Sequence, residues 1–248
     1  MLWSNAWPKC RHEGGRQTAA KQNRDHPTTK FFSSSTVKPR RFREGTFGKI
    51  PTAEHPNYII MQIKGLIFDC DGTLADTMPL HWHAWQLITQ RHNLHFPEDR
   101  FYSLGGVPSR DILKMLAVEQ GRSLDHIAVA HEKENAYLPL MSQVEPIHAV
   151  VEIAREHQGK IPMAVASGGT QKIICEVLEH LKIRHLFAAV VTSEMVKNQK
   201  PAPDIFLEAA RRIGVEPRYC RAYEDTELGL TAIRAAGMDA VDVRSLIG

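Results

Sequence analysis

Gly65-Leu66-Ile67-Phe68-Asp69-Cys70-Asp71-Gly72-Thr73-Leu74-Ala75-Asp76-Thr77 decides how this chain folds. Residues 66–68 form a short apolar run that ends on two carboxylates and a glycine. An apolar run stopped by a turn signal reads as a strand buried on both faces. Asp69 then stands at its carboxyl end and Asp71 in the loop beyond, where open α/β sheets place their ligand crevices. Two acids this close repel when both are ionised. They are tolerable with a cation between them or with one of them protonated. The plainer reading is a strand and an Asp-Gly turn with both acids solvated. The rest of the chain has to choose.

Working outward, the 248 residues suit one α/β core plus an insert. Hydrophobic residues make up 43%, enough for a sizeable core, and no apolar run approaches the roughly 18 residues of a membrane span. The net charge of +3 is unevenly spread. Residues 1–60 carry eleven Lys/Arg against four Asp/Glu, and residues 61–248 carry twenty against twenty-four. The second part is therefore mildly acidic and has no nucleic-acid footprint. Cys10, Cys70, Cys175 and Cys220 lie far apart without paired spacing, which fits reduced thiols in a cytoplasmic protein, not a disulfide framework or zinc site.

Residues 1–60 have no sustained period. They hold Ser33-Ser34-Ser35 and the basic patch Lys38-Pro39-Arg40-Arg41-Phe42-Arg43. Such a stretch is expected to be a disordered basic tail, a targeting segment, or an extension not made in the cell, with Met61 as the start. The third is favoured, because Met61-Gln62-Ile63-Lys64 runs straight into the first strand.

Residues 78–93 read as a helix, with Trp82, Trp85, Ile88 and His92 at helical spacing. Pro97 opens a short second helix, residues 104–108 form a turn, and Ser109 caps a helix over 110–119. Another helix runs over 124–138 and stops at Pro139. This helical block, 78–145, looks like an inserted cap. Alternation of helix and strand resumes at 146, with helix 149–157 and strand 162–166 leading to Ser167-Gly168-Gly169. Thr170 caps a helix carrying Ile173, Ile174, Val177, Leu178 and Leu181. Strand 188–192 follows, then Lys200-Pro201-Ala202-Pro203-Asp204 and a helix over 205–213 ended by Gly214. A weak strand at 221–223 leads to Glu224-Asp225-Thr226, a helix over 227–236 closed by Gly237, and a last strand at 240–243. Repeated βα units imply a Rossmann-like parallel sheet with helices on both faces. The expected domains are a core of residues 61–77 and 146–248 and a small α-helical cap of residues 78–145.

In a parallel sheet all strand carboxyl ends point one way. The loops bearing Asp69 and Asp71, Ser167, Lys200, and Glu224 and Asp225 therefore converge on one rim. Singly, Ser167 reads as a helix-start hydroxyl and Lys200 as a solvated charge. Jointly and in this order, they resemble the four motifs of the haloacid dehalogenase superfamily of phosphotransferases, over about residues 63–248. That resemblance implies a Mg²⁺-dependent enzyme. Asp69 would be nucleophile and metal ligand, forming an aspartyl-phosphate. Asp71 would lend its backbone carbonyl to the metal, while its side chain protonates the leaving oxygen and deprotonates the attacking water. Glu224 and Asp225 would complete the metal shell. Ser167 and the amides of Gly168 and Gly169 would hold phosphate oxygens, and Lys200 would pair with Asp69 and the phosphoryl group. Cys70 would point into the core. Arg221 departs from the apolar residue expected in its strand.

The cap resembles that of the β-phosphoglucomutase-like branch. Val144-Glu145-Pro146 and the run Ala235-Ala236-Gly237-Met238-Asp239-Ala240-Val241-Asp242-Val243-Arg244 are most similar to fructose-1-phosphate phosphatase-like members. A small helical cap implies a small phosphorylated metabolite. The resemblance makes three cap positions candidates for substrate contact. They are His81, the loop Gly105-Gly106-Val107 with Arg110, and Lys133. Their bland readings are a surface histidine, a solvated arginine and one lysine in a charged helix; His83 reads as structural or solvent-facing. The leading expectation is a phosphatase for a sugar phosphate resembling fructose 1-phosphate or 6-phosphogluconate, monomeric or weakly dimeric. The alternatives are a hexose phosphate mutase of the β-phosphoglucomutase type and a non-catalytic binding module. A dehalogenase fits less well, because Asp71, Gly72 and Glu224 suit a metal.

Overall fold

The structure, a computed structural model, describes residues 62–247. The readings of residues 1–60 and of Met61 as a start fall outside these residues. In chain order the elements are β1 (Gly65–Phe68), β2 (Ala75–Asp76), α1 (Met78–Arg91), α2 (Glu98–Ser103), α3 (Ser109–Glu119) and α4 (His126–Tyr137). A 3₁₀ segment, Leu138–Gln143, precedes β3 (Glu145–Pro146), α5 (His148–His157), β4 (Met163–Ser167), α6 (Gln171–His180) and β5 (Ala189–Thr192). Then come α7 (Asp204–Ile213), β6 (Cys220–Glu224), α8 (Glu227–Ala235), β7 (Asp239–Asp242) and α9 (Arg244–Ile247).

Five strands make one parallel sheet in the order β5-β4-β1-β6-β7, with β1 in the middle. All four residues of β1 are buried, as an apolar run in a covered sheet requires. Its side chains alternate between two cores. Leu66 and Phe68 join Val165, Ile174 and Val177 on one face, while Ile67 joins Ala164, Val191 and Phe206 on the other. Phe68 stacks on Tyr223 of β6, with ring centroids 4.7 Å apart. Burying one such aromatic side chain is worth about 1.5–3 kcal/mol. Arg221, unexpected in β6, is explained by Asp239 opposite it in β7, its Nε 2.6 Å from the carboxylate.

Helices α1–α4 enclose a third core of Trp85, Ile88, Phe101, Leu113, Leu116 and Val129. The chain enters and leaves this helical block through an antiparallel ribbon that pattern reading missed: Ala75 pairs with Pro146 and Asp76 with Glu145. Each strand of it is two residues long, too short for any period to show. On this topology we propose that residues 78–145 are a cap hinged on the ribbon.

Three local expectations change. Pro108, not Ser109, caps α3, and Ser109 is already helical. The α4 helix starts at His126 because Asp125 accepts from the amides of Ile127 and Ala128. Thr170 stands at the N-cap of α6 but its hydroxyl makes no capping bond. Glu194, from the loop after β5, accepts from the Gln171 amide instead, at 2.6 Å. The glycine stops hold: Gly214 ends α7 at φ 70, and Gly237 follows α8 at φ 72.

Candidate active site

The carboxyl ends of β1, β4 and β6, with the loop before α7, meet at one rim. Asp69 leaves β1 with 3% of its surface exposed. Lys200 places its Nζ 2.6 Å from Asp69 Oδ1 and 2.7 Å from Glu224 Oε2. Glu224 Oε1 accepts from the Thr226 amide and hydroxyl, at 3.1 and 2.7 Å. The same hydroxyl accepts from the Gly229 amide at 3.0 Å, which caps α8. Asp225 Oδ1 accepts from the Thr73 hydroxyl at 3.0 Å. Two glycines make room for these acids. A Cβ on Gly72, which sits at φ +87, would collide with the Asp225 carboxylate, and one on Gly229 with that of Glu224.

Asp69, Glu224 and Asp225 each bring one oxygen within 4.8 Å of the others. Burial raises the Asp69 carboxyl well above its usual range, and the charge of Glu224 adds to this against Lys200. Burial, followed by Glu224, raises Asp225 to about 7. Burial alone would lower the Lys200 ammonium, but Asp69 and Glu224 outweigh it and raise it. One lysine thus faces three acids. An all-oxygen donor set with surplus negative charge fits a hard divalent cation. Magnesium, the general cofactor of the family resembled, suits these residues.

Asp71 faces the other way. Thr77 donates to its Oδ1 at 2.7 Å, His81 Nε2 lies 3.3 Å from the same atom, and Ser167 donates to Oδ2 at 3.3 Å. Burial opposes ionisation of this acid, but the His81 and Thr77 hydrogen bonds and the Lys133 charge win and bring it to about 2. Lys133, in the apparently charged run of α4, is only 5% exposed. Its Nζ reaches His81 Nδ1 at 2.8 Å, and burial lowers the ammonium to about 8. An ammonium donating to Nδ1 leaves the proton of a neutral His81 on Nε2, facing Asp71. Burial and then Lys133 lower His81, consistent with the neutral ring. Tyr137 stacks on that ring at 4.0 Å.

In front lies a cavity of about 270 Å³. It falls just under the roughly 300–1,000 Å³ of pockets for drug-sized ligands, so it suits a small molecule. Asp69, Asp71, Ser167, Gly168 and Gly169 line it from the core. His81, Gly105, Gly106, Arg110 and Lys133 line it from the segment that holds α1–α4. Lys200, Glu224 and Asp225 stand behind Asp69. Ser167 Oγ also accepts from the Gly169 amide at 3.0 Å. Gly168 abuts the Gly106 carbonyl so closely that any side chain would collide. Arg110 Nε lies 3.8 Å from Asp111 Oδ1. His83 is exposed and Cys70 fully buried, as expected. Sequence reading overlooked Thr73, Thr77 and Thr226, which orient Asp225, Asp71 and Glu224. The only signal was their place at turns and helix starts.

The family model described as haloacid dehalogenase-like hydrolase matches residues 66–243. Fructose-1-phosphate phosphatase YqaB of Escherichia coli K12 is 43% identical over 183 residues, 73% of this chain and 97% of that protein. β-Phosphoglucomutase of Bacillus subtilis 168 is 33% identical over 192 residues, 73% of this chain and 83% of that one. Among solved structures, β-phosphoglucomutase from Clostridium difficile superposes with a TM-score of 0.67 at 27% identity, covering 73% of this chain and 84% of that one.

Proposed function

The chain belongs to the haloacid dehalogenase-like hydrolases, and from that membership we propose that it is a Mg²⁺-dependent phosphatase of a small sugar phosphate, working through an aspartyl-phosphate on Asp69. The observation that carries this is Lys200 bridging Asp69 and Glu224 at 2.6 and 2.7 Å, with Asp71 on the cavity side. Asp69, Asp225 and Glu224, with the Asp71 backbone carbonyl, are the groups that would hold the ion. When bound, magnesium neutralises phosphate charge that otherwise repels an anionic nucleophile.

An Asp69 carboxylate oxygen attacks phosphorus and the ester P–O bond breaks. The leaving alkoxide takes a proton from Asp71. Water then attacks the acyl phosphate, Asp71 accepts its proton, and Asp69 is regenerated as phosphate departs. Asp71 is held ionised here, ready for the second step. A phosphate dianion beside it favours the protonated form needed for the first. Lys200 opposes charge build-up on Asp69 and the phosphoryl oxygens. Ser167 and the amides of Gly168 and Gly169 supply donors to those oxygens, and His81, Lys133 and Arg110 supply polar contacts from the cap. The buried thiols of Cys70 and Cys220 are in keeping with a cytoplasmic location.

The relation to β-phosphoglucomutases supports a second reading, in which a bisphosphate intermediate replaces water as acceptor. Phosphate release from fructose 1-phosphate with Mg²⁺, silenced by EDTA and restored by excess metal, is the expected result. Conversion of glucose 1-phosphate to glucose 6-phosphate without free phosphate would establish the mutase. Activity persisting in chelator would remove the metal from the account.

A further inference from the structure

The start of α6 borders the cavity and already holds an anion of its own. Free amides at a helix start make a ready seat for negative charge. The ten residues of α6 begin straight after Ser167-Gly168-Gly169-Thr170, and Thr170 makes no capping bond. Glu194, from the loop after β5, takes that place, with Oε2 accepting from the Gln171 amide at 2.6 Å. Glu194 is exposed and lines the cavity together with Ser167, Gly168 and Gly169. It forms no ion pair with a lysine, arginine or histidine among the described residues. Its backbone is held from two sides. Ser193, 1% exposed, donates to the Gly169 carbonyl from its amide at 3.3 Å and from its hydroxyl at 3.1 Å. The Gln199 side chain donates to the Ser193 carbonyl at 3.0 Å. A carboxylate is thereby fixed to the loop assigned to phosphate oxygens. Residues 169 and 171 are at most about 7 Å apart along the chain. That is inside the Debye length of about 10 Å at 0.1 M salt, so the charge reaches a phosphate on that loop.

We propose that Glu194 is a resident anion of the phosphate site, which occupies the start of α6 in place of phosphate and weakens the hold on inorganic phosphate so that the product leaves. The proposal rests on the phosphatase reading for what is released, but the weakening itself is a property of binding. The α6 dipole favours negative charge at its start, and Glu194 answers it before any ligand arrives. A phosphate dianion on Ser167, Gly168 and Gly169 then gains less from the helix and meets a like charge beside it. Substrate and product carry the same phosphoryl group. Holding it more tightly would be uniform binding, which lowers KM without raising kcat, whereas product release limits the rate of many enzymes. Glu194 acts through the start of α6 and its own charge, not on the reacting atoms, so it is a positioning residue.

The test reads binding without turnover. The full chain in Mg²⁺ is titrated with inorganic phosphate by calorimetry, as the native protein, as Glu194→Gln and as Glu194→Asp, with folding checked by circular dichroism. Glutamine keeps an acceptor oxygen for the Gln171 amide and removes only the charge. Glu194→Gln is expected to bind phosphate at least about threefold tighter at low salt. That gain should vanish near 1 M salt, where the Debye length is about 3 Å. Glu194→Asp, which keeps the charge, is expected to stay within about twofold of the native affinity. A residue that only stabilises the helix start would leave phosphate affinity unchanged or weaken it. Equal or weaker binding by Glu194→Gln, an equal gain in Glu194→Asp, a gain that persists at high salt, or no phosphate binding by any of the three would each overturn the proposal. The phosphatase reading is judged separately, by phosphate release from an aryl phosphate by the native protein. Silence there removes the reaction and leaves the phosphate affinities to decide the role of Glu194.

Discussion

At the scale of single residues, Lys200 holds the centre together. It is 4% exposed and neutralises part of the charge on Asp69 and Glu224, neither of which has another cation within bonding distance among the described residues. Breaking a buried ion pair from one side leaves uncompensated charge and costs about 3–5 kcal/mol. Lys200→Met is expected to lose that much in urea unfolding of the metal-free protein, and a loss below about 1 kcal/mol would mean that the acids are protonated or solvated. Asp69, Asp71, Ser167, Lys200, Glu224 and Asp225 were legible because residue type and order along a parallel sheet decide where they go. The threonines were not. Thr73 serves a carboxylate 152 residues away, and nothing local marks a hydroxyl for such a partner.

At the scale of elements, a tight constraint is the contact of two loops, Gly105-Gly106 between α2 and α3 and Gly168 after β4. The Gly106 carbonyl occupies the space a side chain at 168 would need, and a Cβ on Gly106, at φ +82, would crowd the Lys200 stem. Gly168→Ala is expected to push the cap loop off the core. A misplacement near 1 Å costs about 10²-fold in catalysis, so kcat/KM should fall by about that factor while the melting temperature barely moves. An unchanged kcat/KM would show that this contact does not set the site. Strands and helices were largely readable from apolar period and glycine stops. The ribbon of β2 and β3 and the true caps of α3 and α6 were not, because a two-residue strand has no period and a cap supplied by Glu194 comes from another element.

At the scale of the whole molecule, βα alternation gave the sheet and its helices, while strand order depended on which crossovers pack best and was not written in any one segment. Stability has its own pH signature. On α7, Glu208 accepts from Arg211 Nε at 2.7 Å and Arg212 Nε at 2.6 Å. The Arg211 hydrogen bond, opposed by partial burial and joined by Arg212, lowers the Glu208 carboxyl to about 2 from 4.5. A depressed carboxyl stabilises the fold fully above its unfolded value, and the contribution fades as pH falls from about 4.5 through about 2. Glu208→Gln should therefore lower the melting temperature at pH 7 and cost progressively less toward pH 2; a gap independent of pH would contradict the pairing. The account as a whole turns on Asp69. The measurement that tests it most directly is single-turnover phosphate release from fructose 1-phosphate in Mg²⁺ by the native protein and by Asp69→Asn, with folding checked by circular dichroism. Loss of at least about 10³-fold in rate with an intact fold is expected for removal of a covalent nucleophile; an Asp69→Asn protein within tenfold of the native rate would contradict it.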